Sequence, residues 1–153
     1  SLLYGVTHPQ SRGTLRPTGP RTLDAPAIDP QYLTHPADRH TMTAALTFAR
    51  RLAATKPLAD WVADEHLPGK GVTDAARLDA FNARALITHH HPAGTCAIGI
   101  ADDRPLTPDL CVRGTRGLYV CDASAIPTLP SGPINAAVSA MAEVFAERLK
   151  RRL

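Results

Sequence analysis

The sequence predicts an α/β chain with long irregular connections, and three observations carry that expectation. Apolar residues recur at helical spacing in several stretches, and a compact β-prone run, Leu118-Tyr119-Val120-Cys121, stands ahead of the last of them. Fourteen prolines and ten glycines interrupt the rest, more punctuation than a helical bundle carries. With 153 residues, 44% of them apolar, the chain is large enough to bury a core of its own, which excludes a disordered tail.

The elements follow in order. Residues 2–16 read as a loop feeding a strand at 13–16. Repeated Pro, Asp and Thr then make 17–36 an extended surface connection. Met42, Leu46, Ala49, Leu52 and Ala53 place an amphipathic helix over 37–55, ended by Pro57. A short helix over 57–65 follows, and another begins at Thr73, its expected cap, with Leu78, Phe81 and Ala85 on one face. Between them Pro68-Gly69-Lys70-Gly71 is a turn. A short extended piece is expected at 110–113 and a buried strand at 118–121. In the closing helix, 135–151, Val138, Met141, Phe145 and Leu149 form the apolar face, and Ala136, Ala137, Ala140 and Ala142 permit close packing.

Composition narrows the function classes. The net charge of +3 is modest, and its one cluster, Arg148, Lys150, Arg151 and Arg152, is where cations complement the negative end of a helix. Without aromatic residues alongside, it argues against nucleic-acid or membrane binding. Cys96, Cys111 and Cys121 form no C-x-x-C pair and are odd in number, which points to a reducing, cytoplasmic setting. No apolar run reaches membrane-spanning length, and the start has no signal-peptide pattern. A first residue other than methionine fits a processed chain, a fragment or simple initiator removal.

Several familiar chemistries are missing. Gly69 and Gly71 supply G-x-G, but position 74 is Asp and no strand precedes them, so no dinucleotide fingerprint is present. Gly94 and Gly99 have phosphate-loop spacing without the following Lys, and Ser131 lacks the glycines of a nucleophile elbow. His89-His90-His91 invites a metal reading, with Cys96, Asp102 and Asp103 as further ligands. It is discounted because adjacent side chains of an extended loop point in alternate directions and seldom converge on one ion. One structural histidine beside two exposed ones is the plainer alternative.

The context of that triple is more informative. His90-His91-Pro92-Ala93-Gly94-Thr95-Cys96-Ala97-Ile98-Gly99 resembles the H-P-x-G-T-C-x-M-G motif of the glucose-methanol-choline (GMC) oxidoreductases, with Ile98 where methionine is usual. Two further stretches match that family in the proper order. One runs from Gly114 through Gly117-Leu118-Tyr119-Val120-Cys121-Asp122-Ala123-Ser124, and the other is Pro127-Thr128-Leu129-Pro130-Ser131-Gly132-Pro133-Ile134-Asn135-Ala136. Weaker landmarks at Pro9-Gln10-Ser11-Arg12-Gly13 and Ile28-Asp29-Pro30-Gln31-Tyr32-Leu33 extend the resemblance over nearly the whole chain, as the family's carboxy-terminal region.

The resemblance implies a set of expectations. Residues 1–88 would be part of a substrate-binding domain. Residues 89–153 would supply the catalytic-histidine loop and the last strand and helix of a Rossmann-like FAD-binding domain, an incomplete fold needing a partner segment. His91 would be the catalytic base and Asn135 its partner. Imidazole titrates near neutrality and can take a hydroxyl proton, and an amide can donate to the developing alkoxide. His90, Asp122, Ala123, Asn135, Ala136 and Ala137 would contact FAD, the last three through backbone N–H groups at the start of a helix. A plain helix cap at Asn135 and a strand-ending turn at Asp122 are the alternatives.

The expected partner is a second polypeptide or precursor segment carrying the nucleotide fingerprint, with a small-molecule alcohol as substrate. Many relatives carry Ser-Gly-Asn-x-Asn before the last helix, where this chain has Ser131-Gly132-Pro133-Ile134-Asn135, so the first amide is lost. A non-catalytic remnant and a flavin-containing lyase are the competing functional readings.

Overall fold

In the computed structural model, which describes residues 1–151, the chain divides into two compact units, residues 1–87 and 88–153. Arg152 of the terminal basic cluster lies outside the described residues.

The first unit contains a two-stranded antiparallel sheet, β1 (Thr14–Arg16) and β2 (Ala27–Asp29), and two helices, α1 (Pro36–Ala53) and α2 (Ala75–Ala85). Leu15 pairs with Ile28, flanked by Thr14 with Asp29 and Arg16 with Ala27. β2 falls inside the stretch expected to be an irregular connection, because three residues between Pro26 and Pro30 are too short a run to show alternation. Gly13 is required where the strands converge. A Cβ there would lie 2.3 Å from the Asp29 carbonyl oxygen.

α1 opens where Pro36 takes the first turn and His35 Nδ1 accepts from the Ala37 amide at 3.2 Å. Its buried stripe is Asp38, Met42 and Leu46, spaced by four, while Phe48 and Leu52 are exposed. α2 is capped one residue later than expected: Asp74, not Thr73, accepts from the Arg77 amide at 2.8 Å. Leu78 and Asn82 are its buried positions, whereas Phe81 is half-buried and Ala85 exposed. An apolar pattern misses Asn82, which tolerates burial because Tyr4 donates its hydroxyl to Oδ1 at 2.8 Å. The short helix expected over 57–65 reduces to a single 3₁₀ turn, Leu58–Asp60. Further along this connection Glu65 accepts from Arg50 Nε and Nη2 at 2.9 and 2.8 Å, and Arg50 also donates to the Gly69 carbonyl, which ties the connection to α1.

Asp38 has the opposite chemistry to its neighbours and is 2% exposed. It accepts from the backbone amides of Gln10 and Ser11 at 2.8 and 2.7 Å and from the Ser11 hydroxyl at 2.5 Å, fastening the amino-terminal segment to α1. Burial alone would raise its pKa. The bonds from Gln10 and Ser11, aided by nearby His35, outweigh that and hold it below the ordinary carboxylate value.

The second unit has one long helix, α3 (Asn135–Lys150), and otherwise irregular chain organised by single β-bridges. Ile98 bridges Leu106, Leu106 bridges Val112, and Cys111 bridges Tyr119, so two of the three bridges meet on one residue. That residue, Leu106, is fully buried with Ala125 and Leu110, and Cys96, Ile98, Val112, Val120, Cys121, Met141 and Phe145 pack around them. Tyr119 and Phe145 rings lie 5.3 Å apart.

The buried strand expected at 118–121 is not formed. Leu118 is 53% exposed and the stretch makes one bridge, because the described chain offers it a single short neighbour and a strand needs a ladder to persist. α3 likewise has no fully buried residue: Met141, Phe145 and Leu149 are half-buried, and Ala136, Ala137, Ala140 and Ala142 are exposed.

Asp38→Ala is expected to destabilise the protein by about 3 kcal/mol, because buried amides lose a charged acceptor. Urea denaturation measures it. Since the folded carboxyl titrates below its unfolded value of about 3.9, the contribution is complete above that pH and is lost as pH falls through the folded value, and Asp38→Ala should flatten that acid limb. In the second unit, Leu106→Ala should cost about 2–5 kcal/mol by leaving a cavity, read in the same denaturation experiment.

Candidate active site

The residues singled out from sequence all belong to the 88–153 unit. The histidine triple lies in irregular chain, but it is not uniformly extended. His90 has φ +59°, in the left-handed region, and its amide donates to the Thr88 hydroxyl at 3.0 Å. A non-glycine residue there costs on the order of 1–3 kcal/mol and marks a sharp change of chain direction. The three imidazoles separate by environment: His89 and His90 are exposed, and His91 is half-buried. Among the described residues no group of three or more His, Cys, Asp or Glu side chains is arranged to hold a metal ion.

After His91 the loop runs along the turn that follows Cys121. At Gly94, φ is +83°, and a Cβ would sit 3.4 Å from the Ile126 carbonyl oxygen. The Cys96 amide donates to the Ser124 carbonyl at 3.0 Å and the Ile98 amide to the Ala125 carbonyl at 3.0 Å. Gly99 then donates to the Leu106 carbonyl at 3.2 Å. Three alternate residues of the His91 loop thus lie against three consecutive residues of the turn.

The turn itself is the 3₁₀ segment Ala123–Ala125, and Asp122 is its cap, accepting through Oδ1 from the Ser124 amide at 2.8 Å and from the Ser124 hydroxyl. Asp122 is exposed and Ala123 half-buried. Burial, with the Asp122 charge adding to it, pushes the neighbouring Cys121 thiol up from its usual value, which keeps that thiol protonated at neutral pH.

Arg113 holds the far side of the loop, a role the sequence did not suggest. Its Nε donates to the Arg104 carbonyl at 3.0 Å and its Nη2 to the carbonyls of Gly99 and Ile100 at 2.8 and 3.0 Å, while Nη1 lies 3.7 Å from Asp102. Asp102 itself is exposed, and the clamp is made by the bonds to carbonyls. The turn at 122–124 could have been found from sequence, since Asp-x-Ser is a spacing at which a carboxylate bonds the backbone two residues on; a guanidinium gathering carbonyls from a distant turn has no local signature.

α3 starts at Asn135, with buried Ile134 as its cap residue and no side-chain cap bond. The Val138 amide is the first to reach a helical acceptor, the Ile134 carbonyl, at 2.9 Å. Amides in the first turn precede any intrahelical acceptor, and Asn135, Ala136 and Ala137 are exposed with two small side chains among them. That end of α3 is open to an anionic group approaching closely. The arrangement so brings together the His91 loop with the Asp122 turn. Neither His91 nor Asn135 hydrogen-bonds the other among the described residues.

A family model described as GMC oxidoreductase matches residues 9–142. This chain belongs to the GMC oxidoreductase family, as part of its carboxy-terminal region. Pyridoxine 4-oxidase of Microbacterium luteolum is 45% identical over 98% of the chain, which covers 29% of that protein. Choline oxidase of Arthrobacter globiformis is 38% identical over 83% of the chain, covering 24% of it. Among solved structures, pyridoxine 4-oxidase from Mesorbium loti superposes with a TM-score of 0.90 at 43% identity, over 95% of this chain and 28% of that one. The chain thus spans less than a third of the length of these relatives, and FAD is the cofactor of the GMC homologues, whose names are those of oxidases and dehydrogenases.

Replacing Arg113 with Met should free the 99–104 loop while leaving the Leu106 core intact. Faster amide hydrogen exchange at Gly99 and Leu106, with little change in exchange within α3, is the expected result.

Proposed function

We propose that this chain forms the substrate-side wall and proton-accepting edge of an FAD-dependent oxidoreductase that converts an alcohol to a carbonyl compound. The observation that carries this reading is His91: it is the half-buried member of the triple, it stands in the Pro-x-Gly-Thr-Cys motif, and its loop is fastened to the Asp122 turn by two backbone bonds. A base must keep its place while substrate binds and leaves, and a loop tied at several points provides that.

In the proposed reaction an imidazole nitrogen of His91 takes the hydroxyl proton, and the Asn135 amide donates to the oxygen as negative charge develops on it. FAD, when bound, supplies the hydride acceptor. The open first turn of α3 suits a group that carries negative charge, so the backbone N–H groups of Asn135, Ala136 and Ala137 would hold the cofactor, with Ala123 and His90 bordering it.

We place the FAD-binding fingerprint on a further segment, whether a second polypeptide or part of one precursor, as the lengths of the relatives support. The unfinished ladder at 118–121 and an apolar groove lined by Ile98, Leu110, Met141, Val144 and Phe145 are surfaces such a segment would cover. Three free cysteines and the lack, among the described residues, of a helix long and apolar enough to cross a membrane support a cytoplasmic setting. Likeness to pyridoxine 4-oxidase makes pyridoxine the first alcohol to assay.

The protein assembled with its FAD-binding segment should be bleached by pyridoxine, or by another primary alcohol, in the absence of air. His91→Ala should retain flavin and lose about 10²–10⁴-fold in turnover, the usual worth of a general base. Asn135→Ala should lose less. Flavin that stays oxidised while product forms would instead make the protein a lyase, and full activity of His91→Ala would make it a remnant.

A further inference from the structure

We propose that Asp122 is a positioning residue for His91, acting through the Ser124–Ala125 turn. This rests on the reading of His91 as the proton acceptor and adds a residue that works without touching substrate. The resemblance alone puts Asp122 at the cofactor, but the structure commits its Oδ1 elsewhere, to the Ser124 amide at 2.8 Å and the Ser124 hydroxyl.

Those two bonds fix the turn. Within it the Ala125 amide donates to the Asp122 carbonyl and the Ile126 amide to the Ala123 carbonyl, each at 3.1 Å, so residues 122–126 form one closed unit. Its Ser124 and Ala125 carbonyls are the acceptors for Cys96 and Ile98, both at 3.0 Å, and the Ile126 carbonyl lies against Gly94. The chain from His91 to Gly99 otherwise forms no regular element, and among the described residues its further backbone ties lie toward the far end, where the Leu106 amide donates to the Ala97 carbonyl and Gly99 bonds Leu106 and Arg113.

Rotating the turn would therefore carry positions 94, 96 and 98 with it, and His91 is three residues away. Ala125 is fully buried in the core, so the turn has a firm base on one side and depends on the Asp122 cap on the other. A displacement of about 1 Å at a reacting group can cost up to about a hundredfold in rate.

The test uses the flavin-loaded, complete enzyme with Asp122→Ala, Asp122→Asn and Ser124→Ala, reading flavin per protein, kcat and KM. Asp122→Ala should lower kcat about tenfold with flavin content and KM held. Asp122→Asn should restore most of it, because the amide oxygen still accepts both bonds. Loss of flavin in Asp122→Ala, with unchanged kcat per bound flavin, would make Asp122 a cofactor ligand and overturn the proposal, as would a kcat equal to the parent's. If Asp122→Ala does not fold, Ser124→Ala decides: a lowered kcat beside a normal Asp122→Asn supports the proposal, and a normal kcat overturns it. His91→Gln is measured in parallel. Retained turnover there would sink the functional reading itself, whereas lost turnover with a fully active Asp122→Ala sinks only the role of Asp122.

Discussion

Two backbone hydrogen bonds, from the Cys96 and Ile98 amides to the Ser124 and Ala125 carbonyls, hold the His91 loop against the Asp122 turn. They join two stretches of irregular chain that have no helix or sheet to define their path. Each such bond is worth about 1 kcal/mol net, so they act by direction more than by strength. Their setting makes them effective: Ala125 and Leu106 are fully buried beside them, which excludes the water that would compete for the same carbonyls. A loop held in this way can carry a reactive side chain without being part of a regular element.

The same economy explains two buried polar residues and one exposed one. Asp38, Asn82 and Asp122 each replace a missing stretch of secondary structure with side-chain bonds to backbone or to a hydroxyl. Asp38 joins the amino-terminal segment to α1, and Asp122 closes the turn beneath the His91 loop. Arg113 does the reverse, gathering carbonyls that no amide reaches. A chain rich in proline has few amides to spare for ladders, and charged side chains supply the missing partners.

The unit leaves several surfaces open. α3 exposes its alanines, the stretch at 118–121 makes a single bridge, and the first turn of α3 has free space before it. In relatives more than three times as long, chain is present that could lie against such surfaces. In the proposed chemistry this chain would contribute a base, an amide and a helix end to a larger assembly, and the nucleotide-binding fingerprint would lie on the further segment.

By itself the sequence determined the family, the ordered motifs around His91, Asp122 and Asn135, and the existence of α1, α2 and α3, since helical periodicity and motif spacing are local properties. Tertiary structure decided what depends on partners distant in sequence. It set β2 against β1, brought the amides of Gln10 and Ser11 to Asp38, and left Leu118 exposed where a buried strand was expected. It also separated three adjacent histidines, because a left-handed residue at His90 redirects the chain and half-buries His91 alone. A strand is real only when a neighbour accepts its hydrogen bonds, and a buried carboxylate such as Asp38 takes its role from donors that the fold brings from far along the chain, neither of which composition or spacing encodes.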